Sequence, residues 1–147
     1  MLAVTILGNN SAVPAFDRHP TSQVITLDGT LFLIDCGEGT QVQLRKNKIK
    51  FSKIKHIFIS HLHGDHYLGM VDVLTQIETG RFFYNGQVRT LASYTSVLNT
   101  ASAQADSMVQ IVGTVDALTI DDQDWFDQVA FVRFASVPAC STVQPPR

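Results

Sequence analysis

Four residues of metal-binding type fall within six positions in His61-Leu62-His63-Gly64-Asp65-His66. In extended chain, residues i and i+2 project to the same side, so His61 and His63 can chelate one ion. Gly64 permits a sharp turn, after which Asp65 and His66 can face a second ion a few ångström away. Imidazole and carboxylate without thiolate form a ligand set that suits zinc, with manganese and iron as alternatives. A catalytic zinc keeps about three protein ligands and an open position for water, whose pKa it lowers to roughly 7. Two such ions can clamp a phosphate diester from both sides. A merely polar loop explains this density of ligand types poorly.

A second cluster, Asp35-Cys36-Gly37-Glu38-Gly39-Thr40-Gln41, lies 26 residues upstream, counted from Asp35 to His61. A carboxylate at a strand end can orient a metal-bound histidine from behind, and two glycines let backbone approach closely. Standing alone, the same residues would read equally well as a glycine-rich exit from a hairpin.

The elements that must position these clusters are short. Leu2–Leu7 reads as a strand, followed by a polar loop from Gly8 to Ser22. Gln23–Leu27 and Thr30–Asp35 are β-type runs joined by Asp28-Gly29, a two-residue hairpin signal. Thr40 is placed to cap a helix through Lys46, and His56–Ser60 reads as a buried strand leading into the histidine loop. Leu68, Val71, Leu74 and Ile77 recur at helical spacing, predicting a helix from Tyr67 that ends at Gly80. Beyond Arg81 the pattern weakens. Asn85-Gly86 suits a hairpin, Ser96–Val112 permits a helix, and Val129–Phe134 reads as a strand. Trp125-Phe126 and Phe82-Phe83-Tyr84 are read as apolar packing, and the tail from Ser141 as frayed.

The chain has 147 residues, of which 45% are hydrophobic and 16% charged, with net charge −2. That suits one compact domain and argues against disorder. No apolar run approaches the roughly 18 residues of a membrane span. Leu2–Leu7 lacks the basic flank of a signal peptide. Two cysteines, Cys36 and Cys140, are too few for a disulfide framework, so a reducing, cytoplasmic setting is expected. Charge is unevenly placed: residues 1–66 carry +2 and all five histidines and five lysines, while residues 67–147 carry −4. Six cations fall between Arg45 and Lys55. They read as a solvated helix-to-strand connection or, given the neighbouring histidine loop, as contacts to RNA phosphates through Lys46, Lys48 and Lys50. His56 is expected to be a packed histidine rather than a ligand, and Cys36 a buried small side chain.

Taken together, the two clusters resemble the metallo-β-lactamase superfamily. Leu7–Pro14, Leu33–Gln41, Phe51–Ile54 and Ile57–His66 resemble ribonuclease Z, the tRNA 3′-processing endonuclease, over residues 1 to about 81. The resemblance implies an α/β fold, the N-terminal half of an αββα sandwich, and a zinc-dependent endoribonuclease that removes the 3′ trailer of precursor tRNA. It makes His61 and His63 ligands of one Zn2+ and Asp65 and His66 ligands of another, with Asp65 also accepting the proton of the attacking water. Pro14–His19 takes the place of a loop that senses the tRNA 3′ end. Phe16 and His19 stand where that loop usually has Lys and Asn, whereas Arg18 is kept for phosphate contact. The intact family acts as a homodimer with no membrane association.

Intact members run to about twice this length, and their second half supplies two more histidines and a bridging aspartate. No histidine follows His66 here. The chain is therefore expected to consist of residues 1–81, half of the family domain, and residues 82–147, a divergent or out-of-frame segment. It is expected to be truncated and inactive, with an inner sheet face lacking its partner layer and prone to self-association. The alternatives are a non-catalytic, weakly metal-binding fragment and a hydrolase of small phosphodiesters.

Overall fold

The computed structural model describes residues 1–11, 16–60, 62–84 and 91–110, with the backbone of 129–131. Seven strands form one sheet: β1 Leu2–Gly8, β2 Ser22–Leu27, β3 Thr30–Ile34, β4 Ile54–Phe58, β5 Thr79–Tyr84, β6 Ala105–Gln110 and β7 Val129–Phe131. Their order is β1-β2-β3-β4-β7-β5-β6. The first three are antiparallel neighbours, and every later pairing is parallel. The Asp28-Gly29 hairpin forms with both central residues at positive φ (48° and 89°), the geometry of the type I′ turns that match strand twist.

Between β3 and β4 the chain crosses over through α1, Thr40–Lys46, and a 3₁₀ turn, Phe51–Lys53. Because β3 and β4 are parallel, both point their carboxyl ends toward one end of the sheet, where Asp35 and Ser60 emerge. Gly39, not Thr40, is the N-cap of α1. The Thr40 hydroxyl instead donates to the Gly37 carbonyl at 2.7 Å. β4 begins two residues earlier than the sequence suggests, and its end leads directly to Ser60.

The core lies on one sheet face. Register aligns Val24, Leu33 and Ile57 across β2, β3 and β4, and all three are buried with Leu44, Met70, Val73 and Leu74 from the helices. The opposite face carries Ile25, Phe32 and His56, with Phe32 stacked on His56 at 5.1 Å between centroids. His56 is buried, and the Cys36 side chain is fully enclosed. On β1 this opposite face is open: Leu2, Val4 and Ile6 are each more than half exposed.

The helix expected from Tyr67 to Gly80 is instead two short ones, α2 Gly64–Tyr67 and α3 Met70–Leu74, and Thr79-Gly80 opens β5. The break has a local cause. The Gly69 N–H bonds the Cys36 carbonyl at 2.9 Å, so it is withdrawn from the helical ladder. The buried set is accordingly Tyr67, Met70, Val73 and Leu74, while Leu68 is exposed.

β5 runs without interruption through residues 81 and 82, and Phe82 is buried. α4, Ala92–Gln104, packs on α3 and buries Tyr94, Val97 and Ala101. The Tyr94 ring meets Tyr67 edge-on. The helix permitted over Ser96–Val112 thus starts earlier and gives way to β6 at Ala105, whose residues pair with β5. Strand pairing outweighs a weak helical pattern there. The expected strand at Val129–Phe134 is present over Val129–Phe131. The Asn85-Gly86 hairpin, Trp125-Phe126 and the tail from Ser141 lie outside the described residues. No helix among the described residues is long and apolar enough to cross a membrane.

Candidate metal centre

The carboxyl ends of β3 and β4 bring the two clusters together. Asp35 follows β3 in the left-handed region, φ 56°, which Asp tolerates better than most residues. Its own N–H bonds the Phe58 carbonyl at 2.8 Å, fixing it beside the end of β4. Asp35 Oδ1 accepts the Ser60 N–H at 2.8 Å, and Oδ2 accepts the Ser60 hydroxyl at 3.0 Å. The same Oδ2 lies 2.7 Å from His66 Nδ1. A neutral imidazole that donates from Nδ1 carries its lone pair on Nε2. That nitrogen stands 3.6 Å from Asp65 Oδ2.

Backbone contacts lock the same junction. The Cys36 N–H bonds the His66 carbonyl at 2.7 Å, and Cys36 returns its own carbonyl to Gly69. A β-carbon on Gly37 would meet the Asp65 carbonyl and Pro20, and one on Gly69 would meet the Gly37 carbonyl. Glycine at both positions is therefore a packing requirement, since backbone oxygens cannot swing aside. Gln41 adds a further tie, its amide donating to Asp72 Oδ2 on α3 at 2.7 Å. Burial holds the Cys36 thiol far above its ordinary pKa, against a smaller opposing effect of the Thr40 hydrogen bond. It is a packing group at the junction and no nucleophile.

The donor chemistry can be tested against a metal ion. Two ligands about 2.1 Å from a tetrahedral zinc stand about 3.4 Å apart. The 3.6 Å between His66 Nε2 and Asp65 Oδ2 fits such a pair, and Asp35 fixes the His66 ring as carboxylates commonly fix ligand histidines. Among the described residues, no group of three or more His, Cys, Asp or Glu is arranged to hold an ion. His63 is exposed at the N-cap of α2, and His61 lies outside the described residues. The fit is thus that of two ligands on one ion.

Arg18 is exposed on a segment whose neighbour His19 lies 3.8 Å from a β-carbon position on Gly39, and Pro20 abuts Gly37. It stands at the same end of the sheet as Asp35. Lys46, Lys48 and Lys50 are exposed at the other end, in the last turn of α1 and just after it. The structure separates these four cations into two groups. Reading the sequence missed Ser60, whose signal is only a polar residue closing an apolar strand. It also missed the part played by Gly69, a lone glycine inside a helical pattern.

A family model described as Anti-Pycsar protein Apyc1 matches residues 2–98, about two-thirds of the chain. Ribonuclease Z of Bacteroides fragilis is 56% identical over 70 residues, which are 48% of this chain and 23% of that protein. The chain thus matches about a quarter of that relative's length. Human tRNase Z, short form, superposes with a TM-score of 0.56 at 30% identity, covering 77% of this chain and 46% of that one. The metallo-β-lactamase fold protein YhfI of Bacillus subtilis has a TM-score of 0.58 at 20% identity, covering 79% and 48%. The likeness to ribonuclease Z spans about half the chain, the fold is part of a metallo-β-lactamase fold, and with its family match extending over more than half its residues the chain belongs to the family described as Anti-Pycsar protein Apyc1.

Proposed function

We propose that this chain carries the front ligand cluster of a zinc-dependent phosphodiesterase centre acting on RNA, with the 3′ trailer of precursor tRNA as substrate. The observation that carries the reading is the Asp35–His66–Asp65 geometry, in which a pinned imidazole leaves Nε2 beside a carboxylate oxygen. Similarity to ribonuclease Z across the same residues supports RNA as the substrate.

In this reading His61 and His63 hold one ion, and Asp65 and His66 the other. When bound, zinc supplies Lewis acidity toward the phosphate and lowers the pKa of water. Asp65 takes the proton of the attacking water. Asp35 and Ser60 hold the His66 ring in place, and Arg18 offers its guanidinium to a phosphate at the same end of the sheet. The setting is cytoplasmic, and the assembly a homodimer.

With about two protein ligands per ion, against the three of a catalytic zinc, the 147-residue chain assayed as it stands binds zinc weakly and does not turn over. Calorimetric titration with zinc and cleavage of precursor tRNA test both statements. Zinc uptake with unchanged stoichiometry and affinity after Asp65→Ala and His66→Ala together would overturn the assignment of these two residues, since only the ion held by His61 and His63 should remain. Cleavage that disappears in Asp65→Ala would refute inactivity while supporting the hydrolase. Hydrolysis of bis(p-nitrophenyl) phosphate but not of precursor tRNA would transfer the reading to small phosphodiesters.

A further inference from the structure

From Gly39 to Gly64 the chain contains no Asp or Glu, yet it holds Arg45, Lys46, Lys48, Lys50, Lys53 and Lys55. None of the five lysines has a carboxylate within 4.0 Å among the described residues. Four of them, Lys46, Lys48, Lys50 and Lys53, are exposed. Asp28, in the hairpin at the same end of the sheet, is occupied by the amino group of Met1. In a chain of net charge −2, this concentration of unneutralised cations sets up a local field of one sign.

The backbone that displays them is rigid. Ile49 N–H bonds the Leu44 carbonyl at 2.9 Å, and Lys48 N–H bonds the Arg45 carbonyl at 3.0 Å. That paired arrangement ends a helix with a left-handed residue, a place usually taken by Gly or Asn. Here it is Lys48, at φ 57°. A lysine at this position carries a modest backbone cost and holds its charged stem in a fixed direction at the end of α1. Ile49 and Phe51 pack against the core, and Arg45 lies over the Phe51 ring while donating to Gln76 at 2.8 Å. Anchors therefore alternate with cations that face water.

Position decides what this ridge can serve. It lies before β4, whereas the metal-type cluster follows it. Ile54 and Ser60 are about 20 Å apart at the rise of extended chain. No small substrate held at Asp65 and His66 reaches Lys48, but one strand of a helical nucleic acid, rising roughly 3.4 Å per nucleotide along its axis, spans the gap in about six nucleotides. Membrane docking fits less well, because Ile49 and Phe51 are packed against the core and not free to enter lipid.

We propose that residues 45–55 form a preorganised ridge that grips the phosphate backbone of an RNA at a distance from the point of cleavage, without reading its bases. The proposal rests on the RNA reading above and adds a second contact surface to it. Point charges on long stems suit phosphate contact and carry no base information.

The test is binding of fluorescently labelled precursor tRNA to the full chain between 50 and 200 mM salt. Lys48→Gln, Lys50→Gln and Lys53→Gln combined should lower affinity roughly 10- to 100-fold at the low-salt end. The slope of log K against log salt should fall by about two, since each lost phosphate contact removes about 0.7 to 0.9. Lys48→Gly, which keeps the left-handed geometry, should raise the melting temperature yet still reduce the slope. An unchanged slope with RNA still bound would overturn the ridge alone. Absence of RNA binding by any form, with zinc uptake intact, would overturn the RNA reading and the ridge with it. Loss of binding to phosphatidylserine vesicles with RNA binding unaffected would overturn the ridge in favour of a membrane contact.

Discussion

His66 Nδ1 lies 2.7 Å from Asp35 Oδ2, although 31 residues of chain separate them. The contact exists because β3 and β4 are parallel neighbours and the two residues follow their carboxyl ends. It aims His66 Nε2 outward, toward Asp65. Everything proposed for the centre passes through this pair.

Asp35→Asn keeps the shape but weakens the acceptor that fixes the ring. Zinc affinity, read by competition with a chromophoric chelator, should fall about 10- to 100-fold. Ser60→Ala, which leaves Asp35 its bond to His66, should cost less. Equal affinity in wild type and Asp35→Asn would mean that Asp35 serves packing only.

Gly69→Ala places a β-carbon against the Gly37 carbonyl and 3.0 Å from that of Cys36. Neither backbone oxygen can retreat without parting α3 from the Asp35 loop. Urea unfolding should show a loss of about 2 kcal/mol or more. A change within about 0.5 kcal/mol would show that the two loops can part to admit a methyl group.

Burial, with Lys55 as the smaller cause, lowers the pKa of His56 below its ordinary 6.5. As pH falls, the unfolded chain takes up this proton before the folded one. Its contribution to stability is thus complete above about pH 6.5 and shrinks below it, by up to about 1.4 kcal/mol per pH unit. His56→Gln should remove that part of the acid slope between pH 6.5 and 5, whatever it does to stability at pH 8. Identical slopes in both proteins would refute the assignment.

Cys36 should resist alkylation in the native state, because its thiol is both enclosed and held protonated. Peptide mapping after iodoacetamide should find it labelled only when denaturant is present. Rapid labelling under native conditions would show that the junction opens readily.

Local signals served well wherever structure is local. Asp28-Gly29 announces a hairpin because only a few residues accept positive φ at both turn positions, and the turn is there. Short apolar, β-branched runs bounded by glycine turns announce β1 to β3, and the strands form there. Periodicity failed from Tyr67 to Gly80, where one helix was expected and two short helices and a strand start are found. The cause is the carbonyl of Cys36, which takes the Gly69 N–H from a place 33 residues away in sequence. No window along the chain contains that information.

The candidate centre divides along the same line. Residue types at His61, His63, Asp65 and His66 raise the expectation of a ligand chemistry on their own, because four such side chains fall so close together. The likeness to ribonuclease Z is likewise carried by residue identity along the chain. Which carboxylate holds which imidazole was settled by pairing of β3 with β4. Together with the antiparallel pairing of β1, β2 and β3, it places Arg18 at one end of the sheet and Lys46, Lys48 and Lys50 at the other, although the lysines stand much nearer to the histidine loop in sequence. Extended chain reverses nothing and carries Ile54 and Ser60 about 20 Å apart, so neighbours in the text become opposites in space.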